Sequence, residues 1–356
     1  MQPENVRRSQ IVDGYIRPPT HLEVIAVDHC NITCAGCNHA SPAMPAWFAD
    51  PEAVHRDLSI LARVYRPRFI KLLGGEPLMH RNLPALIDAI HCAGMECPIS
   101  LVTNGMLLHR VPDAVWEGVD EIEFSLYPGA PGQEANVELA RKRMAEMGKT
   151  LKVFRYEDFR ATFTLRGTQD RDLVRRIYSA CKVANFWGCH GLRDGHFYKC
   201  PQSMYAGHLV NGVVSGRDRV AISERPTLQE ELLAFVNSSD PLDACSHCLG
   251  TVGIQEAHSL PPRGRWRESI DRPSEELVDY AWLEQSLIRF DEPDDCKVRQ
   301  ARAGILKALR TRLKRLFGKS SLRSGAGRRQ RRIPIRPDEA SALTPPAAPR
   351  DRPPGA

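Results

Sequence analysis

The sequence predicts an α/β fold, in which repeated strand–helix units form a parallel sheet and a small cysteine-rich domain follows. Three observations support this prediction. Short apolar runs alternate with amphipathic stretches at the interval of βα units until about residue 168. The alternation then stops, and residues 181–250 are rich in cysteine and glycine. The 356 residues, 42% of them hydrophobic, are sufficient for one large core and a smaller one.

Five strands are predicted in the first half of the chain. They are the runs at 22–28, 68–73, 98–105, 119–128 and 150–156. Helices are predicted between them, from Pro51 onward, around residues 83–90 and over roughly 134–147. Two more are predicted at 226–237 and 274–290. In folds of this kind, functional residues lie at the carboxyl ends of the parallel strands.

The domain boundaries are predicted from these changes of pattern. The chain divides into a polar leader (1–20), the strand–helix domain (21–168), the cysteine-rich domain (169–255), a helical extension (256–295) and a basic tail (296–356). In the tail, an amphipathic helix at 301–317 precedes a stretch of Ser, Gly, Arg, Ala and Pro. That composition is typical of disorder, so the tail is predicted to be partly disordered.

The basic charge of the chain is concentrated in this tail. From Lys297 to Ala356 there are 17 Lys or Arg and 3 Asp or Glu, whereas the whole chain has a net charge of +6. Residues 1–296 are therefore net acidic, and nucleic acid is not a predicted partner. Three interpretations of the tail stay open: a helix packed on the body, a helix on an anionic membrane surface, or a solvated arm for an acidic partner.

The location is predicted to be cytoplasmic, with peripheral membrane attachment through the tail left open. The first residues, MQPENVRRSQ, contain no apolar stretch after their charges, and no run of 18 apolar residues follows. The 11 cysteines are odd in number. In an intracellular chain this number favours metal or redox chemistry over a disulfide framework.

Three cysteines occupy eight positions directly after the first predicted strand: Cys30, Cys34 and Cys37. A structural zinc site has four protein ligands, and a zinc ion that also binds His39 is one interpretation of this group. The other is a [4Fe–4S] cluster in which three irons have cysteine ligands and the fourth stays open for a small molecule.

Further motifs follow the next strands. Gly74-Gly75-Glu76-Pro77 follows the second strand, Thr103-Asn104-Gly105 ends the third, and Ser125 lies in the fourth. In this order, over about residues 22–160, the set resembles the radical SAM enzymes. The resemblance implies a partial (β/α)6 TIM-like barrel and a [4Fe–4S] cluster held by the three cysteines. It also implies that the open iron chelates S-adenosylmethionine (SAM), which is cleaved reductively to a 5′-deoxyadenosyl radical that abstracts hydrogen from substrate.

The same resemblance implies which residues contact SAM. By matching position they are Gly74, Gly75, Glu76, Pro77, Asn104 and Ser125. The paired glycines are expected to allow close backbone approach to the methionine part of SAM. Many members have an aromatic residue before the third cysteine, but here it is Gly36. Adenine recognition is therefore expected to use other groups.

A second cysteine set resembles the twitch domain, a shortened SPASM domain of some radical SAM enzymes. The matching pattern is Cys181, then Gly195 and Cys200, then Cys245 and Cys248. The resemblance implies that these four cysteines hold an auxiliary [4Fe–4S] cluster, with zinc as the alternative metal. Cys189 is the second choice for the first ligand position, and Cys92 and Cys97 are predicted to be structural.

The resemblance implies an oxidoreductase or epimerase that acts on a hydroxylated small molecule, such as a sugar or aminocyclitol. A closed auxiliary cluster would accept the electron that such an oxidation releases. Arg155 and Tyr156, at the end of the fifth strand, are candidate substrate contacts. The reductant is expected to be a ferredoxin or flavodoxin. Radical modification of a ribosomally made peptide is the alternative, and a metal-binding or electron-carrying scaffold without catalytic activity is an alternative of another class.

Overall fold

The computed structural model describes residues 2–213 and 215–290. The predicted helix at 301–317 and the rest of the basic tail lie outside the described residues. The strands are β1 Gln10–Val12, β2 Tyr15–Arg17, β3 Leu22–Val27, β4 Ile70–Gly74, β5 Ile99–Thr103, β6 Glu121–Leu126, β7 Thr150–Arg155, β8 Asp158–Arg160, β9 His190–Arg193, β10 His196–Tyr198, β11 Arg219–Ala221 and β12 Gln255–Ala257.

The helices connect these strands in the alternation that the sequence predicts for its first half. They are α1 Pro51–Leu61, α2 Leu83–Cys92, α3 Asp113–Gly118, α4 Gln133–Glu146, α5 Arg171–Ser179, α6 Pro201–Leu209, α7 Leu228–Asn237, α8 Ser274–Leu277 and α9 Tyr280–Ile288. None of the helices in the described part of the chain combines the length and apolarity that crossing a membrane requires.

An eight-stranded sheet in the order β11-β10-β9-β3-β4-β5-β6-β7 organises the fold. Six adjacent strands, β9 and β3 to β7, run parallel to one another. The remaining two, β10 and β11, are antiparallel to their neighbours. The predicted α/β class with a parallel, barrel-like sheet is confirmed. The five predicted strands are β3 to β7, but the sixth parallel strand is β9, and it pairs with β3 rather than with β7.

The two faces of the sheet differ in polarity because side chains alternate along each strand. On β3, Leu22, Val24 and Ala26 pack into the main apolar core beneath the helices. Glu23 and Ile25 point to the opposite face, which is the interior of the curved sheet. Helix α1 covers the apolar face, and it is capped by Asp50, whose carboxylate accepts hydrogen bonds from two backbone N–H groups of its first turn.

One predicted helix is divided in two. The sequence predicts a helix over 274–290, whereas α8 ends at Leu277 and α9 begins at Tyr280. The intervening backbone pairs with another segment: Ile254 N donates to Leu277 O at 2.7 Å, and Asp279 N donates to Val252 O at 2.9 Å. These bonds require an extended chain at the break, and Asp279 then caps α9.

Candidate functional site

The loop with the first three cysteines follows β3 at the carboxyl edge of the parallel strands. Cys34 is buried, Cys30 and Cys37 are partly exposed, and none of the three forms a disulfide. Burial raises the pKa of all three thiols, that of Cys30 to about 12, although backbone N–H groups near the Cys37 sulfur oppose the effect. Such thiols are protonated at neutral pH, and metal binding would release their protons.

The paired glycines fasten the end of β4 to the base of this loop. Gly75 N donates to Val27 O at 2.8 Å, and Glu76 N donates to His29 O at 3.0 Å. A Cβ atom at Gly75 would lie 2.0 Å from His29 O, and one at Gly74, where φ is +138°, would lie 2.1 Å from Val27 O. A side chain at either position would collide with the backbone at the end of β3 or just after it, so packing within the chain requires glycine at both. From the sequence, the glycines are expected to make room for SAM instead.

Glu76 links the second motif to the third. Its fully buried carboxylate accepts hydrogen bonds from Thr103 Oγ1 at 2.6 Å, Asn104 N at 2.8 Å and Leu78 N at 3.0 Å. Burial raises the pKa of Glu76 to about 7, against the opposing effect of these three donors. Two of the bonds are made to Oε1 and only one to Oε2, so Oε2 can accept one more.

Asn104 completes the connection back to the cysteines. Its amide Nδ2 donates to Asn31 Oδ1 at 2.7 Å and lies 3.6 Å from Cys30 Sγ. Gln133 Nε2 bridges the backbone oxygens of Asn104 (2.6 Å) and Ser125 (3.0 Å). The structure therefore brings Glu76, Asn104 and the cysteine loop into one hydrogen-bonded group and places Ser125 beside it.

A later segment of the chain, residues 259–266, lies against the cysteine loop, and we call it the clasp. Ser259 O accepts a hydrogen bond from Ala35 N at 2.9 Å, and Pro261 O accepts one from Thr33 Oγ1 at 2.5 Å. From the sequence, this segment is predicted only to belong to a helical extension. Because Pro-Pro and Arg-Gly-Arg have no periodic pattern, no signal in the sequence indicates the contact.

Two side chains of the clasp bind backbone oxygens of the same loop. Arg263 Nη2 donates to Cys30 O at 2.7 Å, and its Nη1 donates to Pro42 O at 3.0 Å. Trp266, which is 1% exposed, donates from Nε1 to Cys34 O at 2.9 Å. The backbone of two of the three cysteines is therefore held from outside the loop.

A buried ion pair anchors the loop from its other side. The guanidinium of Arg193, at the end of β9, donates from Nη2 to Asp28 Oδ2 at 2.6 Å and from Nε to Oδ1 at 3.3 Å. Asp28 is completely buried, and the guanidinium lies 4.1 Å from the ring centre of Trp47. The pair connects the cysteine-rich part of the chain to a residue two positions before Cys30.

An aromatic cluster occupies the space beside Gly36. The Cβ of Phe159 lies 3.2 Å from the position that a Gly36 Cβ would take. Tyr127 stacks on His258 with a centroid distance of 5.2 Å and on Tyr156 at 5.7 Å, and Phe159 lies within 6.0 Å of all three rings. Tyr156 thus belongs to this cluster, whereas Arg155 is half-exposed and forms an ion pair with Glu157.

The four cysteines of the second set line one cavity. The cavity is lined by Cys181, Cys200, Cys245 and Cys248, together with Tyr178 and other residues. Lys199 lies beside it and is buried, and its Nζ donates to Tyr178 Oη and to Ser238 O, both at 2.5 Å. Burial lowers the pKa of Lys199 to about 8, while the neighbouring cysteines oppose that shift.

Cys189 does not line this cavity. Its ligand atom lies within 4.8 Å of those of His21 and Glu23, all three buried. Cys92 is exposed and Cys97 is partly exposed, and both lie away from the two cysteine sets in the sequence.

Comparison with known proteins agrees with this geometry. Residues 24–153 match the radical SAM superfamily, so the chain contains a radical SAM domain. That superfamily uses a [4Fe–4S] cluster and SAM as cofactors. No comparison tests the twitch or SPASM resemblance of the second cysteine set.

Individual relatives match only part of the chain. It is 30% identical over 125 residues to a probable GTP 3′,8-cyclase of Metallosphaera sedula, covering 33% of this chain and 37% of that protein. The chain thus spans less than two fifths of the length of that relative. Among solved structures, BtrN in complex with AdoMet and 2-DOIA has a TM-score of 0.42 at 14% identity, covering 64% of this chain and 92% of that chain. Streptococcus suis SuiB bound to S-adenosylmethionine has a TM-score of 0.30 at 19% identity, covering 39% and 34%.

Proposed function

We propose that this chain is a radical SAM enzyme that oxidises or epimerises a hydroxylated small molecule. The observation that carries the proposal is the hydrogen-bonded group in which Asn104 and Glu76 join two strand ends to the loop of Cys30. Separate strands contribute these groups, and they converge on one edge of the sheet. Parallel α/β folds place binding sites at this edge.

The spacing of the thiols favours an iron–sulfur cluster over a single metal ion. Around one tetrahedral zinc, with Zn–S of about 2.3 Å, two sulfurs lie roughly 3.8 Å apart. Within residues 2–213 and 215–290, only the His21, Glu23 and Cys189 group has three ligand atoms all within 4.8 Å. In neither proposed cysteine set do three sulfur atoms lie that close together. Each set therefore suits a larger inorganic group, an iron–sulfur cluster, better than a single metal ion. Cys30, Cys34 and Cys37 would hold the first cluster.

When bound, the cluster and SAM supply one electron and a carbon–sulfur bond whose cleavage gives the 5′-deoxyadenosyl radical. The residues of the chain would position the SAM and exclude water from it. Glu76 Oε2 and Asn104 Oδ1 each accept one hydrogen bond and can accept another, for example from the amino group of the methionine part of SAM. The aromatic cluster of Phe159, Tyr127 and Tyr156 offers adenine a stacking surface where Gly36 provides none.

The second cysteine set would hold an auxiliary [4Fe–4S] cluster. Four thiolates leave no iron open, so electron transfer is the role that such a cluster can fill. The cation of Lys199 beside the cavity would stabilise the negative charge of the four thiolates. An oxidation that leaves a substrate radical needs an acceptor of this kind.

A second candidate activity is suggested by the relatives. They are described as GTP 3′,8-cyclases, and the match to them covers about a third of this chain. The substrate would then be a nucleotide rather than a sugar or aminocyclitol. Peptide modification stays the third candidate.

Anaerobic reconstitution with iron and sulfide tests the proposal. We expect the reduced wild-type protein to convert SAM to 5′-deoxyadenosine, measured by liquid chromatography with mass detection. The C30A/C34A/C37A triple variant should lose this conversion, whereas C92A, which removes an exposed thiol elsewhere, should keep it. The proposal fails if the triple variant cleaves SAM at the wild-type rate.

A further inference from the structure

The interior face of the barrel carries charged groups deep below the cysteine loop. Glu23 of β3 accepts a hydrogen bond from His21 Nε2 on its Oε1, with a separation of 3.1 Å. Lys71 of β4 donates to Glu123 Oε2 of β6 at 2.9 Å, and both side chains are mostly buried. A buried charge is costly unless other groups compensate it, and such groups inside a barrel indicate a function.

Three polar atoms on this face are buried without a hydrogen-bond partner: Glu23 Oε2, His39 Nε2 and Tyr205 Oη. Glu23 is 7% exposed and Tyr205 is completely buried. Each such atom costs the fold about 1–3 kcal/mol unless something binds it. Buried atoms of this kind are usually satisfied by ordered water, an ion or a ligand, and three of them in one region mark a place where a polar molecule could bind.

The three groups lie in one region: Glu23 is on the same face of β3 as Ile25, and Ile25 belongs to the same apolar cluster as Tyr205. The rings of His39 and Tyr205 are in edge contact, with centroids 5.4 Å apart. Burial lowers the pKa of His39 and raises that of Tyr205; the charge of Glu23, which is within electrostatic range of each, acts upward on both pKa values. They come from β3, from the end of the cysteine loop and from α6, respectively.

The group is also close to both cysteine sets along the chain. His39 is two residues after Cys37, and its backbone N–H is bonded to the Cys37 sulfur. Tyr205 lies in α6, whose first residue follows Cys200 directly. A molecule bound here would lie near the proposed SAM site, and Tyr205 would connect it to the second set.

The chemistry of the three groups defines what could bind. A carboxylate accepts hydrogen bonds only, whereas an imidazole and a phenol can each donate or accept. The nearby cations are already paired, Lys71 with Glu123 and Arg193 with Asp28. A phosphate or carboxylate would meet the like charge of Glu23 while these two cations, within the described part of the chain, are committed to other carboxylates; hydroxyl and ammonium groups would be favoured.

We propose that Glu23, His39 and Tyr205 bind the substrate of this enzyme and that the substrate is a neutral or cationic polyhydroxylated small molecule, such as a cyclitol or an amino sugar. The proposal rests on the proposed radical SAM function and narrows its substrate class. It disfavours GTP, whose phosphates are anionic.

Saturation-transfer NMR with the anaerobically reconstituted protein and unreduced SAM tests the proposal, with myo-inositol, glucosamine and GTP as probes. We expect transfer to the two polyols and a roughly tenfold weaker affinity for them in E23Q and Y205F, because each variant removes one hydrogen-bonding interaction. E121Q is the matched control, because both oxygens of Glu121 already have partners, Ser100 and Lys152.

Thermal unfolding separates loss of binding from loss of structure. Tyr205 Oη has no partner among residues 2–213 and 215–290, so Y205F should melt no lower than the wild type. The proposal is wrong if all variants bind the polyols equally, if GTP alone binds, or if no polyol binds the wild type. It is also wrong if the purified protein holds one zinc ion that C189S loses, since Glu23 would then be a metal ligand. None of these outcomes affects SAM cleavage, so the proposed function is judged separately.

Discussion

The two cysteine sets of this chain are built in different ways. Cys30, Cys34 and Cys37 lie within eight consecutive residues of one loop, and two of them are partly exposed. The other four come from separate segments between residues 181 and 248 and meet around a cavity in which three of them are buried. The first set is local and reachable by a small molecule. The second depends on tertiary structure and is enclosed, which suits a group that exchanges only electrons.

The largest expected effect comes from removing the second set alone. If the second set holds the proposed auxiliary cluster, the C181A/C248A variant should lose it, so that bound iron falls from about eight to about four atoms per chain. SAM cleavage should persist, because the first set is untouched, while turnover of substrate stops. Iron and sulfide analysis measures the change. Loss of one zinc ion with unchanged iron would show that the second set is a zinc site.

The next effect concerns the link between the two regions. R193M leaves the buried carboxylate of Asp28 without a partner and should lower the free energy of unfolding by about 3–5 kcal/mol. Urea unfolding measures the loss. R217M is the control, because Arg217 pairs with Asp243 at 3.7 Å on the surface, and its loss should cost less than about 1 kcal/mol. Equal losses in the two variants would contradict the role given to Arg193.

The pH dependence of Glu76 sharpens the description of the first region. Its folded-state pKa of about 7 exceeds the ordinary 4.5, so the folded chain binds the proton more tightly. The stabilising contribution is complete below pH 4.5 and is lost as the pH rises through 7. The stability of the wild type relative to E76Q should therefore fall by about 3 kcal/mol between pH 4.5 and 8. Urea unfolding of the protein without added iron, at several pH values, measures it. Parallel curves for the two proteins would contradict the assignment.

The smallest effect is expected in the clasp. R263Q removes the bond to Cys30 O, so the first cluster should decay in air about tenfold faster, equivalent to about 1.4 kcal/mol. The fall in visible absorbance follows the decay, and only the part that belongs to the first cluster should accelerate. R265Q is the control, because the Arg265 side chain is 72% exposed and bonded to Glu268. If both variants decay alike, the clasp does not protect the loop.

The parts that the sequence predicts are those with a local cause. The apolar run at 22–28 predicts β3, and Pro51 with the apolar periodicity that follows it predicts α1, without help from distant residues. The three-cysteine loop follows from its spacing in the same way. The strand-end motifs are recognisable because they follow successive strands in the expected order. The sequence did not show that Gly75 is packed closely against His29 O.

What the sequence did not predict depends on pairing over long distances. The register of Leu22 with His190 joins residues 168 positions apart, and nothing in either segment specifies that partner. Phe159 beside Gly36 and Trp266 against Cys34 O are contacts of the same kind. The unpartnered atom of Tyr205 becomes visible only when the burial of each polar atom is known.

The pairing of β9 with β3 has a consequence for handling the protein. A fragment that ended at residue 168 would lack β9, and the backbone groups of Leu22 to Val24 that face it would lose their partners. An unpaired edge strand of this kind favours strand pairing between molecules, which leads to insoluble aggregates. By pairing with β3, the cysteine-rich segment therefore also protects the barrel from aggregation. Expression of the first 168 residues alone should give insoluble protein rather than a folded, active fragment.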